Sequence, residues 1–580
     1  MGISNYAFHI PYVLRSSELP VFLGDAFYQS MEKFTSIIWP IVRSFSTEEN
    51  IEPVFFTAHI LSRAAAFSAL FWFLKVNGTS RPSAITISLA AAAVTPWLIS
   101  SSVVGGHGLF IGYFTHSEAT WGPLVAAMVA AQLGRFTLSA FLTGIVFLIN
   151  AFVGIWLAAI LAMGVVMDPE KRPDWRLLAK SSLVFLFTCS PVVVWITFAL
   201  SNKKPVPDFS YIDYIRQYYP AHFLIEAASF RDLVSLSILT YCGFAAAFLH
   251  TNRKFWMSTL SACIILLLVG SVAPYVFNTR NVFNLHLLRS DGVLQFLAII
   301  LTISATTLAL TEIKSKIDVR VVAVLAISSL MSMRTDIIYL IFVAMCLSYL
   351  AAAQLCNSGT RFTWLNSISL GVRNCIASLL VFSAIFLDLL LVGYSYSSIA
   401  RWFLVLGIIY LLIKYPTKPT VENAVIPILC ILLSIQVAHT ANTWRSFDLS
   451  KKSQIDKSTY EMMRWIRQSK LTGPFLFPVD GIHGLAFNEF QFRTQRPVWI
   501  DLKQGAAVMW DPSFYWQWMP RFTEVNSLVT PNDYLNYAAK NRIPQVVLPR
   551  TKGFCPAGSV TAFENASFSV CSIALPAGLP

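Results

Sequence analysis

Between residues 54 and 439 the chain is filled by about fourteen apolar stretches, and for roughly the last 140 residues the hydrophobicity stops. Each stretch reaches or approaches the ~20 residues that an α-helix needs to cross a hydrocarbon core. Runs such as Ser83 to Val104, Phe255 to Phe277, Val293 to Leu310 and Ile376 to Tyr396 do so with almost no charge. The pattern predicts an α-helical polytopic membrane protein of about 13–14 transmembrane helices with a C-terminal extracytoplasmic α/β domain. Its expected parts are an extracytoplasmic amphipathic segment (1–53), the helical membrane domain (54–439) and a soluble domain (440–580).

Composition excludes an ordinary soluble domain: 56% of residues are hydrophobic, 13% are charged, and the mean hydropathy is +0.60. A net charge of +13 in a soluble protein would point to nucleic acid. Here the basic residues lie mainly in short connections between spans, where they set orientation, so no nucleic-acid partner is expected. One set of alternate connections holds sixteen Lys and Arg and the other eight, which places the first set in the cytoplasm and the tail after Ala424 to His439 outside. Seven of the nine cysteines lie in or beside spans and read as small core residues. Cys555 and Cys571 stand alone in the tail, where an oxidising compartment would allow them to pair.

Residues 138–167 are too long for one upright helix and short for two. Two half-length helices meeting near Asn150 keep Arg81 and Arg135 cytoplasmic, and this arrangement is favoured; one tilted helix would reverse the start of the chain. With two helices the N-terminus lies outside although no signal-like segment precedes residue 54, so the expectation is either that the start at residue 1 is late or that a span lies upstream of it.

Polar residues in this apolar background mark candidate sites. In the leading segment Asp25 follows Gly24 and precedes Ala26-Phe27-Tyr28. It reads either as a helix N-cap or as a carboxylate shielded at a membrane surface, where its pKa would rise toward the range of a general base. The outward loop GGHGLFIGYFTHSEATW holds His107, His116 and Glu118 without Lys or Arg, as a metal site, a proton relay or a substrate-contacting turn. The nine-residue spacing of the two histidines matches no compact metal motif, and His116 and Glu118 read better as polar substrate contacts. In the next large loop Asp208, Asp213, Arg216 and His222 alternate with aromatic residues, a mixture that suits a headgroup level or a sugar face. His59 and Arg63 share one face of the first span, and Asp388 interrupts another.

The tail alternates helical and strand-like runs: Tyr460 to Gln468, Pro474 to Val479, Pro497 to Ile500, Asp533 to Lys540, Gln545 to Leu548 and Ala566 to Leu575. That order predicts an α/β layer. The aromatic segment VMWDPSFYWQWM is either a local core or a surface for an extended substrate. No Gly-rich nucleotide loop occurs, which argues against a nucleotide-sugar donor.

The whole arrangement resembles the GT-C superfamily of membrane glycosyltransferases. The resemblance is carried by PYVLR (11–15) leading to Gly24-Asp25-Ala26-Phe27, by RQYYPAH (216–222), by LLRS (287–290) and by RPVWIDLK (496–503), which are similar to a bacterial GT-C-like group. It implies transfer of a sugar from a polyprenyl-phosphate-linked donor to an acceptor glycan, lipid or protein outside a bacterial inner membrane, with Asp25 as catalytic base. Arg289 and Arg334, at expected outer ends of spans, would meet the donor phosphate. A divalent metal cofactor is compatible with this reading. The chain departs from the family in having no transmembrane helix before the acidic loop and no carboxylate adjacent to Asp25, the nearest being Glu18 and Glu32. The alternatives are a carrier or flippase for a lipid-linked or polar substrate, and an oligosaccharide polymerase or ligase.

Overall fold

Six helices among the described residues are long and apolar enough to cross a membrane: Ile51–Val76, Trp175–Phe198, Phe230–Leu249, Arg253–Phe277, Arg280–Thr311 and Ile337–Leu355. The computed structural model describes residues 6–79, 81–168, 170, 172–201, 209–277, 279–311, 317–331, 336–357, 454–479 and 490–574. Arg334, Asp388 and every span expected between 358 and 453 lie outside them. The chain divides into two units, one formed by Met1–Val54, Val192–Phe209 and Ala441–Pro580, the other by Phe55–Pro191 and Ser210–Thr440.

The second unit is a helical bundle. Its most deeply buried element is the helix Asp291–Thr311, in which almost every residue from Asp291 to Thr307 is buried. Hydroxyls inside such a helix need partners, and they find them on their own backbone. Thr302 donates to the Ala298 carbonyl (2.8 Å), Thr306 to Thr302 (2.7 Å) and Thr307 to Ile303 (2.7 Å). Small residues let neighbours approach, since a Cβ on Gly243 would fall 2.8 Å from Ala298 Cβ. A buried amide pair ties three further segments together: Asn77 Oδ1 accepts from Gln132 Nε2 (3.0 Å) and from Trp256 Nε1 (2.8 Å). Other helices of this unit leave large apolar side chains exposed, such as Phe187 (83%) and Leu61 (65%).

The run at 138–167 is two helices, Phe136–Ile149 and Ala151–Met167. Asn150 breaks it with extended backbone, and its side-chain oxygen caps the second helix by accepting from Phe152 (3.2 Å) and Val153 (3.4 Å). The turn is tight because a Cβ on Gly154 would lie 2.4 Å from Phe147 Cα.

The first unit contains the sheet. Strands β1 (Phe475–Leu476), β2 (Gln545–Pro549), β3 (Ser559–Glu564) and β4 (Phe568–Ile573) run in the order β1-β2-β4-β3. β1 and β2 are parallel and the other pairs antiparallel. All of β2 is buried, and the helix Gln454–Gln468 contributes Met462, Met463 and Ile466 to the same core. The expected α/β alternation is present, although Pro497 to Ile500 makes only a single bridge, Val498 to Phe475, and β3 follows no apolar run. Between β3 and β4 the Asn565 side chain accepts from Ser567 (3.1 Å) and Phe568 (2.9 Å), making the turn.

Residues of the leading segment pack on the tail within this unit. Phe8 lies edge-on to Trp510 at 5.5 Å, Trp510 Nε1 donates to Ser30 Oγ (3.3 Å), and Lys33 pairs with Asp511 (2.5 Å). Cys555 and Cys571 form a disulfide with Cα atoms 5.5 Å apart, closing a separation of 16 residues. A loop of that length restricts the unfolded chain by about 3 kcal/mol. Cys555→Ser should therefore lower the unfolding free energy of this unit by about that amount in a denaturant titration, and reductant should shift the native protein to the same midpoint while leaving the variant unmoved.

Candidate functional site

In the bundle a carboxylate organises the polar residues. Asp291, wholly buried at the start of its helix, accepts from Ser102 Oγ (2.7 Å) and from the backbone N–H of Val104 and Gly105 (2.9 Å each). Gln295, one helical turn on, accepts from Val103 N–H (3.0 Å) and donates to the Trp97 carbonyl (2.8 Å). The 102–105 turn is thus fixed against the helix, and only glycine fits at 105, where a Cβ would fall 2.6 Å from Arg289 Cα. His222 Nδ1 donates to the Gly105 carbonyl at 3.1 Å.

The same turn carries His107 into the core. Its ring lies 5.7 Å from Trp121 and 5.4 Å from Trp156, and neither ring nitrogen has a hydrogen-bond partner. Burial and the neighbouring Arg289 guanidinium push the His107 imidazole well below its ordinary range, and the same causes push His116 down to about 3. Both rings are therefore neutral at physiological pH. Arg289 has an Nε sealed from solvent without a partner.

Three expected site residues, His116, His222 and Arg289, thus belong to one neighbourhood. Glu118 lies beside it with both oxygens engaged, by His59 Nδ1 (2.8 Å) and Arg63 Nη2 (2.8 Å). This clasp explains the two polar residues on one face of the first span. Asp213 and Arg216 form a surface group instead, with Arg216 3.3 Å from Asp213 and 3.2 Å from Glu226. No three potential metal ligands converge among the described residues.

In the other unit Asp25 is the N-cap of the short helix Ala26–Ser30, and its Oδ1 accepts from Tyr28 N–H at 3.0 Å. A second aspartate makes a similar turn. Asp501 Oδ1 accepts from Gln504 N–H (2.7 Å), Gln504 Oε1 accepts from Asp501 N–H (3.2 Å), and Trp518 Nε1 donates to the Asp501 carbonyl (2.9 Å). Gly505 gives Trp518 its place, since a Cβ there would lie 2.4 Å from the indole. Burial raises the Asp25 pKa against the lowering effect of the Tyr28 and Phe27 amides and of Arg521. Asp501 is pushed up to about 6, by burial first and further by the charge on Asp25. Arg521 stacks over Trp499 at 3.8 Å.

The aromatic segment 508–519 is divided between core and surface. Trp518 is buried against Phe522, Trp510 packs on the leading segment, and Trp516 remains 48% exposed. Asp291 directly follows the LLRS motif and Asp501 lies within RPVWIDLK, and neither carries any further signal in the sequence. The chain matches no protein-family model, no curated protein and no solved structure.

Removing the Asp291 carboxylate leaves two backbone donors buried without partners, each costing about 1–3 kcal/mol. Asp291→Ala should destabilise the bundle by at least about 3 kcal/mol, whereas Asp213→Ala, which breaks an exposed pair, should cost under about 1 kcal/mol. Unfolding in detergent micelles distinguishes them; equal effects would contradict the central place of Asp291.

Proposed function

We propose that the protein is a membrane glycosyltransferase of the GT-C type, moving a sugar from a polyprenyl-phosphate carrier to an acceptor on the extracytoplasmic side. The observation that carries this reading is the pair of half-buried aspartates, Asp25 and Asp501, drawn from opposite ends of the sequence, each held on backbone N–H groups and both shifted toward neutrality. A carboxylate poised in that range can take a proton from an acceptor hydroxyl while the acceptor oxygen bonds to the anomeric carbon and the carbon–phosphate-oxygen bond breaks. Asp25 is the acid of the leading segment that the family resemblance designates as base. Asp501 supplies the second carboxylate that the sequence near Asp25 lacks.

Other features support the same reading. Arg289, with its unsatisfied Nε, offers a fixed cation of the kind that stabilises a lipid-borne phosphate. The six apolar helices agree with a membrane location, and the disulfide agrees with a tail in an oxidising compartment.

The activity test is transfer of sugar from a panel of polyprenyl-phosphate hexoses and pentoses to added glycan, lipid or peptide acceptors by the purified, membrane-reconstituted protein. Asp25→Asn, which still caps the helix, should lower transfer about 100-fold. Undiminished transfer by a well-folded variant rejects Asp25 as the base.

The raised pKa of Asp501 also has a stability consequence. Its folded value of about 6 exceeds the unfolded value of 3.8, so the folded protein holds more protons between those limits. Stability associated with this group is full below pH 3.8 and falls as pH rises through about 6. Asp501→Asn should abolish that fall and raise unfolding free energy at pH 7.5 by of order 2–3 kcal/mol. An unchanged pH–stability profile would contradict the shift.

A further inference from the structure

An open groove of about 930 Å³ lies on the helical bundle between the helices Phe136–Ile149 and Trp175–Ser201. That volume is at the upper end for ligand clefts, roughly 300–1,000 Å³. The two helices meet closely where a Cβ on Gly144 would fall 2.6 Å from Thr188 Cβ, and Phe147 lies edge-on to Phe185 at 6.2 Å. Phe141, Leu183, Val184 and Phe187 give the groove an apolar wall. The hydroxyls in that wall are already satisfied, Thr188 donating to the Val184 carbonyl and Ser190 to the Phe187 carbonyl (2.8 Å each). Most of the groove therefore asks nothing polar of an occupant.

Its chemistry changes at one end. Arg176 and Lys180, four residues apart and so on one helix face, line the groove there and are both exposed. Neither pairs with a carboxylate among the described residues, and Arg176 lies over the Trp175 ring at 5.6 Å. The acids nearby have other partners: Asp174 accepts from Leu177 N–H (2.7 Å), and Glu170 pairs with Lys254. From Lys180 to Pro191 the helix rises about 16 Å at ~1.5 Å per residue, close to half of a ~30 Å hydrocarbon core. A fitting occupant is apolar over the depth of one leaflet and anionic at one end. That is the chemistry of a phospholipid with an acidic headgroup.

We propose that this groove holds an anionic phospholipid, with its acyl chains along the apolar wall and its phosphate between Arg176 and Lys180. The inference does not rest on glycosyl transfer; it requires only that this helix lies in a membrane, as its length and hydropathy allow. The charge bias of the sequence assigns the connection bearing these cations to the cytoplasmic side, opposite to the side proposed for sugar transfer. The lipid is therefore a ligand distinct from the sugar donor.

The test is lipid retention by the full-length protein in detergent micelles, followed by native mass spectrometry with phosphatidylglycerol and phosphatidylcholine of matched chains. Phosphatidylglycerol should be retained about tenfold or more strongly, since each basic residue near an anionic headgroup contributes about fivefold. Arg176→Gln combined with Lys180→Gln should remove that preference, whereas Arg253→Gln, at an exposed cation on another helix, should leave it unchanged. Leu183→Trp fills the groove and should weaken retention although both cations remain. All four positions are exposed, so the variants should keep the unfolding temperature of the delipidated protein. Equal retention of both lipids, retention of neither, an unmoved preference in the double variant, unchanged retention in Leu183→Trp, or an equal loss in Arg253→Gln each overturns the proposal. Glycerol phosphate, an anionic head without chains, should not displace the lipid; displacement by it would mark a surface anion site instead. Displacement by an equimolar amount of polyprenyl phosphate would make the groove part of a donor path and equally reject a phospholipid site.

Discussion

The helical bundle depends on one buried carboxylate. Asp291 sits at the head of the most buried helix, where an unpaired charge would be prohibitive, and it is tolerated because a hydroxyl and two backbone amides of the 102–105 turn converge on it. The dependence runs both ways, since those amides have no other partner of comparable quality in an apolar interior. Once the turn is held, His107 is driven between Trp121 and Trp156, and the Gly105 carbonyl is presented to His222. Gly105 and Gly292 are what let the turn and helix approach so closely, as a Cβ on either would collide with Arg289 or His107. The polar neighbourhood of Arg289 is therefore a consequence of how one acid is satisfied.

The other unit solves a different problem, that of holding two half-buried acids in place. Both Asp25 and Asp501 accept backbone N–H groups at the start of short helical turns, which fixes their position and offsets part of the cost of burial. The turns themselves are held by aromatic packing: Phe8 and Phe34 against Trp510, Phe27 toward Phe514, and Trp518 over Gly505. Capping and acid–base chemistry are compatible here, because a cap orients a carboxylate without removing its charge.

Much of the architecture was legible in the sequence because it rests on local patterns. Most long apolar runs among the described residues form helices, although Ser83 to Val104 is helical only through Val94 and then turns, and Asn150 announces the break in 138–167 because an amide oxygen can cap a helix that its own backbone has left. The cysteine pair could be anticipated from its isolation in the tail. The site was less legible. His116, His222 and Arg289 were singled out one by one as polar residues in apolar surroundings, but nothing in their spacing reveals that the 102–105 turn gathers them. Glu118 reads as a substrate contact until His59 and Arg63 are seen on its two oxygens. Asp213 and Arg216, grouped with aromatic residues in the sequence, meet mainly each other and Glu226 at the surface.

The sequence by itself determined the helical segments, the alternating elements of the tail and the presence of an aspartate that could cap a helix at residue 25. These follow from hydrophobic periodicity and backbone hydrogen bonding, which act over a few residues. Only the tertiary structure decided that Asp25 affects Asp501 from 476 positions away, that Phe141 and Arg176 line one groove, and that Asp291 holds a turn nearly 190 residues distant. Electrostatic fields and desolvation depend on distance through space, and one sequence carries no direct record of that distance.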